Sequence, residues 1–181
     1  MIRKPYNYGE PHFEIGEVEL KHFMCEGSYY YGEVKAGSNI KHGRGVMVFT
    51  DPSDPLLQEG WWRDDQLNSR GRSISPQVFF ECSYESNSDI GTGLRVWSNG
   101  DKYEGGFKYN QMHGEGTFYY KSGAVYHGCR VNNLKHGPGL FFHTNGDVER
   151  GFWIQNKRHG QFIITSQDGL ERTVTFSLGD L

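Results

Sequence analysis

The sequence predicts an all-β protein, an elongated single antiparallel meander of about six β-hairpins, and three observations carry that expectation. Glycine is abundant, at 25 of 181 residues. The chain also holds 12 Phe, 11 Tyr and 4 Trp. A His-Gly-x-Gly segment recurs at a constant step, followed by alternating aromatic runs such as Thr117-Phe118-Tyr119-Tyr120. Each glycine inside a helix costs about 1 kcal/mol relative to Ala, so this composition excludes a mostly helical chain. So many aromatic rings are too much apolar surface for a disordered chain to leave in water. With 6 Pro and no three-residue period, collagen is excluded as well.

The repeat sets the elements. His113-Gly114-Glu115-Gly116, His136-Gly137-Pro138-Gly139 and His159-Gly160-Gln161-Phe162 follow one another at 23 residues. Asn99-Gly100, Ser122-Gly123, Asn145-Gly146 and Asp168-Gly169 keep the same step. Earlier copies are Ile90-Gly91-Thr92-Gly93, a degraded Asn68-Ser69-Arg70-Gly71, and His42-Gly43-Arg44-Gly45. Extra length falls at Asp51-Pro52-Ser53-Asp54-Pro55, read as a loop because proline lacks the ladder donor. Six units then begin near Tyr30, Gln58, Phe80, Tyr103, Tyr126 and Glu149.

Each unit opens with a large residue, a glycine two positions on, and a second large residue, as in Tyr103-Glu104-Gly105-Gly106-Phe107 and Glu149-Arg150-Gly151-Phe152-Trp153. Alternation implies strands, and the glycine-bearing dipeptides are read as two-residue hairpin turns. That register places Arg95 opposite Glu104 and Glu115 opposite Arg130, favourable cross-strand pairs. Gly105 leaves room for rings to lie flat over the backbone. A lone sheet has no second layer, so rings stacked across successive hairpins are expected to form its core.

At the N-terminal end, Phe13, Ile15, Val18 and Leu20 alternate with one slip at Gly16-Glu17, which predicts a bulged strand. Residues 1–12, with Pro5 and Pro11, read as an extended arm, either a frayed terminus or a partner-docking tail. Arg172-Thr173-Val174-Thr175-Phe176 reads as a strand capping the other end, with Phe162 and Val174 marking where the array stops. The chain thus divides into an N-terminal arm and capping strand (1–29), a repeat array (30–169) and a C-terminal capping strand (170–181).

Charge and chemistry narrow the function. A net charge of −3 gives no footprint for nucleic-acid phosphates. Cys25, Cys82 and Cys129 lack metal-ligand spacing and read as free thiols of a reducing compartment. No apolar run approaches a membrane span, and the N-terminus has no signal-peptide core, so a cytoplasmic protein is expected. Adjacent hairpins lie roughly 9–10 Å apart, too far for His113, His136 and His159 to share one zinc. Gly-x-Ser-x-Gly is absent, and Gly91-Thr92-Gly93 lacks the lysine of a phosphate loop. No enzyme, metal or cofactor is expected.

A binding surface is the stronger expectation. Tyr84, Phe107, Arg130 and Trp153 occupy equivalent positions, a row of residue types common at interface hot spots. Lys41, Lys135 and Arg158, with Lys157 beside the last, form a second row that could meet anionic lipid headgroups.

The Tyr-x-Gly-x-aromatic, His-Gly-x-Gly and Asn-Gly pattern at 23 residues resembles the MORN repeat (membrane occupation and recognition nexus). Tyr103 through Lys121 is the nearest match, Tyr126 through His143 has Arg130 for the second aromatic, and the unit from Glu149 keeps Gly151 and Trp153. The resemblance covers about residues 30–165. Proteins similar to this family include junctophilins, axonemal proteins and cytoskeletal scaffolds. The repeat is also a module of some SET-domain methyltransferases and phosphatidylinositol-phosphate kinases. The resemblance implies a non-enzymatic scaffold holding an extended or helical protein segment, in a cytoskeletal or ciliary assembly. Its alternatives are peripheral attachment to anionic phospholipid, or service as an accessory module of such an enzyme. The twelve residues after Gly169 leave no room here for a methyltransferase or kinase domain.

Overall fold

The computed structural model describes residues 9–177 of the chain. Fourteen strands, hydrogen-bonded in chain order, make one antiparallel sheet, and the described residues contain no helix. In order they are β1 (Val18–Cys25), β2 (Ser28–Lys35), β3 (Lys41–Phe49), β4 (Leu56–Arg63), β5 (Gln66–Ile74), β6 (Val78–Glu85) and β7 (Ser88–Trp97). Then follow β8 (Lys102–Lys108), β9 (Gln111–Tyr119), β10 (Val125–Val131), β11 (Leu134–Phe142), β12 (Val148–Ile154), β13 (Lys157–Thr165) and β14 (Glu171–Phe176). The six repeats are the hairpins β2–β3, β4–β5, β6–β7, β8–β9, β10–β11 and β12–β13, with β1 and β14 flanking them. Contacts divide the chain between Gly91 and Thr92, inside β7, into two compact units, unit 1 and unit 2.

The turns correct the expected register by one residue. Between β9 and β10, the Tyr120 and Ala124 backbones close around a three-residue loop, Lys121-Ser122-Gly123. Gly123 takes a φ of 94° and donates its N–H to the Tyr120 carbonyl at 2.9 Å. This is the turn-plus-bulge closure, in which the last loop residue must be left-handed. It shifts Glu115 opposite Cys129 and Arg130 opposite Gly114. The same closure joins Trp97 to Asp101, and Glu104 bonds Lys102 rather than Arg95. Arg95 instead donates to the carbonyl of Asn110 at 3.1 Å.

Two-residue turns do occur, and those within the repeats lack glycine. Asp64-Asp65, Ser86-Asn87, Tyr109-Asn110, Asn132-Asn133 and Gln155-Asn156 all have positive φ at both residues. That geometry matches strand twist, and Asn and Asp tolerate it best among residues with a side chain. The second residue also ties its hairpin to the preceding one. Asn133 donates its N–H to the Met112 carbonyl at 3.0 Å, and its Oδ1 accepts from the Met112 N–H at 2.9 Å. Asn156 with Lys135, Asn87 with Leu67 and Asp65 with Lys41 repeat this reciprocal pair.

The core is a stack of rings over glycine. Tyr30, Tyr103 and Tyr126 each run along their own strand and donate the hydroxyl to a carbonyl three residues on, Glu33 at 2.8 Å, Gly106 at 3.2 Å and Cys129 at 3.0 Å. A Cβ at Gly116 would collide with the Tyr103 ring, so this approach demands glycine. Where the leading tyrosine is missing, another strand supplies the filler. Leu67 stands 3.1 Å from the Cβ position of Gly60 in the unit that begins with Gln58. In the unit that begins with Glu149, the ring of Phe162 lies 2.5 Å from the Cβ position of Gly151. Phe162 is therefore not a mere stop signal. It packs edge-on to Trp153 at 4.7 Å and to Phe176 of β14 at 5.3 Å.

Two expectations for the N-terminal segment change. Phe13 and Ile15 lie before β1 rather than in a bulged strand, because the ladder to β2 begins at Val18. Residues 9–14 are not frayed, since they pack on their own sheet; residues 1–8 of the expected arm lie outside the described residues.

Because Phe162 substitutes for the missing tyrosine, restoring the motif glycine should harm the fold. Phe162→Gly is expected to cost about 3–5 kcal/mol, the range for deleting a buried aromatic ring, read from urea unfolding. Glu149→Tyr in that background should regain part of the loss, since it rebuilds the arrangement of the Tyr103 unit.

Candidate functional site

The side chains singled out from the sequence fall on the ring face of the sheet. Tyr84 belongs to unit 1, and Phe107, Arg130 and Trp153 belong to unit 2. None stands out from the surface. Their exposures are 8% for Tyr84, 3% for Phe107, 4% for Arg130 and 2% for Trp153. Tyr84 packs edge-on to Phe80, Phe107 to Tyr103, and Trp153 to Tyr126. These residues are core, buried by the very stacking that a single sheet requires.

The second row proves to be the cross-strand partner of the first. Lys135 sits directly opposite Arg130, and Arg158 directly opposite Trp153. Met112 holds the matching place opposite Phe107, Leu67 opposite Trp62, and Lys41 opposite Val34. The reason is the hairpin itself: a two-residue turn pairs the last large residue of one strand with the residue before His-Gly in the next. Lys157 is the exception; it pairs with Ile154 and is exposed one position away from the row. Lys41, Lys135, Lys157 and Arg158 therefore do not make one outward row of charges.

Lys41, Lys135 and Arg158 lie over rings instead. The Arg130 guanidinium is caged by Phe118 at 4.9 Å, Tyr126 at 5.3 Å and Tyr103 at 5.6 Å, and donates to the Asn133 carbonyl at 2.7 Å. The Lys135 ammonium lies 5.1 Å from the centre of Phe141 and 5.4 Å from that of Tyr126. Arg158 covers Phe176 at 4.2 Å, and Arg95 covers Phe107 at 4.8 Å. The negative ring faces attract these cations, most strongly where water is excluded. Glu149 is the carboxylate among them, 3.1 Å from Arg158 and 3.0 Å from His143. Arg130 and Lys135 form no ion pair among the described residues. In unit 1, Lys41 covers Trp62 at 5.4 Å and has Asp65 within 3.4 Å.

Protonation follows from this packing. Burial pushes the Tyr103 and Tyr126 hydroxyls above the usual tyrosine range, which keeps them donors to their carbonyls. Burial also lowers Lys135, helped by the neighbouring Arg130 and opposed by Glu149. No group of three or more His, Cys, Asp or Glu among the described residues could hold a metal ion. No helix of the described residues is long and apolar enough to cross a membrane.

The arrangement offers rings and cations, groups that can hold a partner. The sequence could not reveal the alignment of the two rows, which depends on loop length; the Asn tethers were missed although Asn87, Asn110, Asn133 and Asn156 recur at the repeat's own 23-residue step.

Lys135 provides a direct check. Its folded form loses the proton at lower pH than its unfolded form, so the unfolded state binds more protons in the window below 10.5. Stability should rise with pH across that window. Lys135→Met, which copies the side chain at Met112, is expected to flatten this rise and to be at least as stable at pH 7, by urea midpoints taken from pH 7 upward.

The geometry is a chain of glycine-floored hairpins whose turns interlock, repeated with a constant step. No curated protein matches the chain. A family model does, at the segments where the ring-over-glycine device recurs. MORN-repeat proteins are in general non-catalytic modules for protein or lipid interaction, with scaffold or adaptor roles. The MORN-repeat family model matches the hairpin array at residues 38–51, 103–125, 126–148 and 150–169.

Proposed function

We propose that the chain is a non-enzymatic adaptor whose second unit holds an extended or helical protein segment against its ring face, within a cytoskeletal or ciliary assembly. One observation carries this reading: cations stacked over rings on a face where Arg130 and Lys135 form no ion pair among the described residues. Phe107, Arg130 and Trp153 are the floor of that face, and Lys135 and Arg158 are its rim. Tyr84 occupies the corresponding position in unit 1. Acidic side chains of a partner would complete the charges that the sheet leaves to its ring quadrupoles. The cytoskeletal or ciliary setting is carried by the likeness to the repeat family alone.

Attachment to anionic lipid fits the geometry less well. Within unit 2, Lys135 and Arg158 lie over rings and Lys157 stands outside their row, so these three cannot all meet a planar surface together; Lys41 of unit 1 also lies over a ring.

The test compares the full chain with a Lys135→Met, Arg158→Gln double variant. The substitutions remove two charges, and the glutamine keeps a donor for Glu149. Proteins captured from a cell extract by the wild-type chain should be lost or much reduced with the variant. Equal capture by both would sink the ring-face reading. Salt-sensitive co-sedimentation with phosphatidylserine vesicles, lost in the same variant, would favour the lipid alternative.

A further inference from the structure

Residues 9–14 lie over unit 1 on the face opposite the ring stack. Trp61 and Trp62 are adjacent on β4 and point to opposite faces; Trp62 joins the stack by bonding the Gly45 carbonyl and meeting Tyr30 edge-on. Trp61 faces the other way, yet it is only 2% exposed. Its indole Nε1 donates to the Gly9 carbonyl at 3.1 Å. The His12 N–H donates to the Ser69 hydroxyl at 2.8 Å. Phe13 packs edge-on to the His42 ring at 5.4 Å and lies beneath the Arg63 guanidinium at 5.7 Å. The His42 ring faces the Glu14 carbonyl at 3.4 Å, and Arg44 covers Trp61 at 4.9 Å.

This strip explains two departures from the repeat. Ser69 replaces the glycine of His-Gly and keeps its positive φ of 55°, a strained setting for serine. Its hydroxyl is what holds the arm. Trp61 occupies the place taken by Gly106, Cys129 and Phe152 in unit 2, where Phe152 is 45% exposed. The tryptophan is covered because the arm is there.

The arm is open to solvent along much of its length. Gly9, His12 and Glu14 make hydrogen bonds to the sheet and Phe13 packs between His42 and Arg63, while Gly9, Glu10, His12 and Glu14 stay exposed. Segments so exposed open at low free energy, and opening would uncover the face of Trp61 on which residues 9–14 lie. Beside His12 an open cleft of about 480 Å³ continues along Asn68, Ser69, Ser83 and Ile90, space the arm does not fill.

We propose that this strip is a peptide-docking site which takes an extended partner segment in exchange for the arm. The segment's chemistry is that of the arm: an aromatic ring for the slot between His42 and Arg63, flanking carboxylates for a strip bordered by Arg44 and Arg63, and free backbone groups for Trp61 and Ser69. The site does not depend on the ring face of unit 2.

The probe is a fluorescein-labelled peptide of residues 9–17, titrated into the full-length chain and followed by anisotropy. Phe13→Ala weakens the competing arm and lies outside every strand, so the far-ultraviolet β signal should be unchanged. That variant should bind the peptide at least ten-fold more tightly than wild type. Adding Ser69→Gly restores the residue the backbone prefers and removes the hydroxymethyl group that makes the bond; it should weaken peptide binding about five-fold, one hydrogen bond's worth. Equal binding by wild type and Phe13→Ala, or no effect of Ser69→Gly, would overturn the proposal. A wild-type dimer that the peptide dissolves would also overturn it, by making a second copy the occupant.

Discussion

A sheet without a second layer must bury its own rings, and everything else in this protein depends on how it does so. The solution is to lay a tyrosine along the strand over glycine, with the hydroxyl capped on a carbonyl of the same strand. The glycine supplies depth, the ring supplies apolar area, and the hydroxyl is kept from being a buried unpaired group. A side chain at the glycine would occupy the ring's own space, so composition and fold are the same fact. The repeat is therefore constrained at the glycine more tightly than at the ring. Leu67 and Phe162 show that a ring or a leucine from the adjacent strand can do the tyrosine's part.

Departures from the repeat come in compensating sets. Glu149 stands where a tyrosine is wanted, and Phe162 stands where a glycine is wanted; each would be disruptive alone, and together they refill the space over Gly151. Phe162 then gives β14 a surface to close on through Phe176. Ser69 and Trp61 form another such set with the arm as the third member. In both cases the local rule is broken only where a long-range contact offsets the cost. This is the pattern expected of a sequence selected for one fold, where conflicts are local and resolved.

Much of this was legible in the sequence. The step of 23 residues, the hairpin count and the place of rings over Gly105 all follow from spacing and residue size. The register did not, because Asn99-Gly100 and Ser122-Gly123 read equally well as two-residue loops or as the end of three-residue ones. Only the backbone bond from Gly123 to Tyr120 separates the two. That single residue moved Arg130 away from Glu115 to a place opposite Gly114, while the separate Asn132-Asn133 turn pairs it with Lys135. The burial of Phe107 and Trp153 was also out of reach, since a row of aromatics reads alike whether it faces a partner or its neighbours. The arm's seat depended on Trp61 and Ser69, residues more than fifty positions away from it.

The same ring stack governs the electrostatics. A buried cation normally needs a carboxylate, because its desolvation is otherwise uncompensated. Here the faces of Tyr103, Phe118 and Tyr126 stand in for one around Arg130, and those of Phe141 and Tyr126 around Lys135. The substitution is incomplete, as the lowered proton affinity of Lys135 records. Rings hold a guanidinium or ammonium in place but do not neutralise it. Unit 2 thus holds Arg130 and Lys135 on its ring face without an ion pair among the described residues, in a chain whose net charge is −3. In the proposed reading, an acidic segment laid along this face gains what the sheet withholds, and partner choice is then tied to the packing rule that builds the fold.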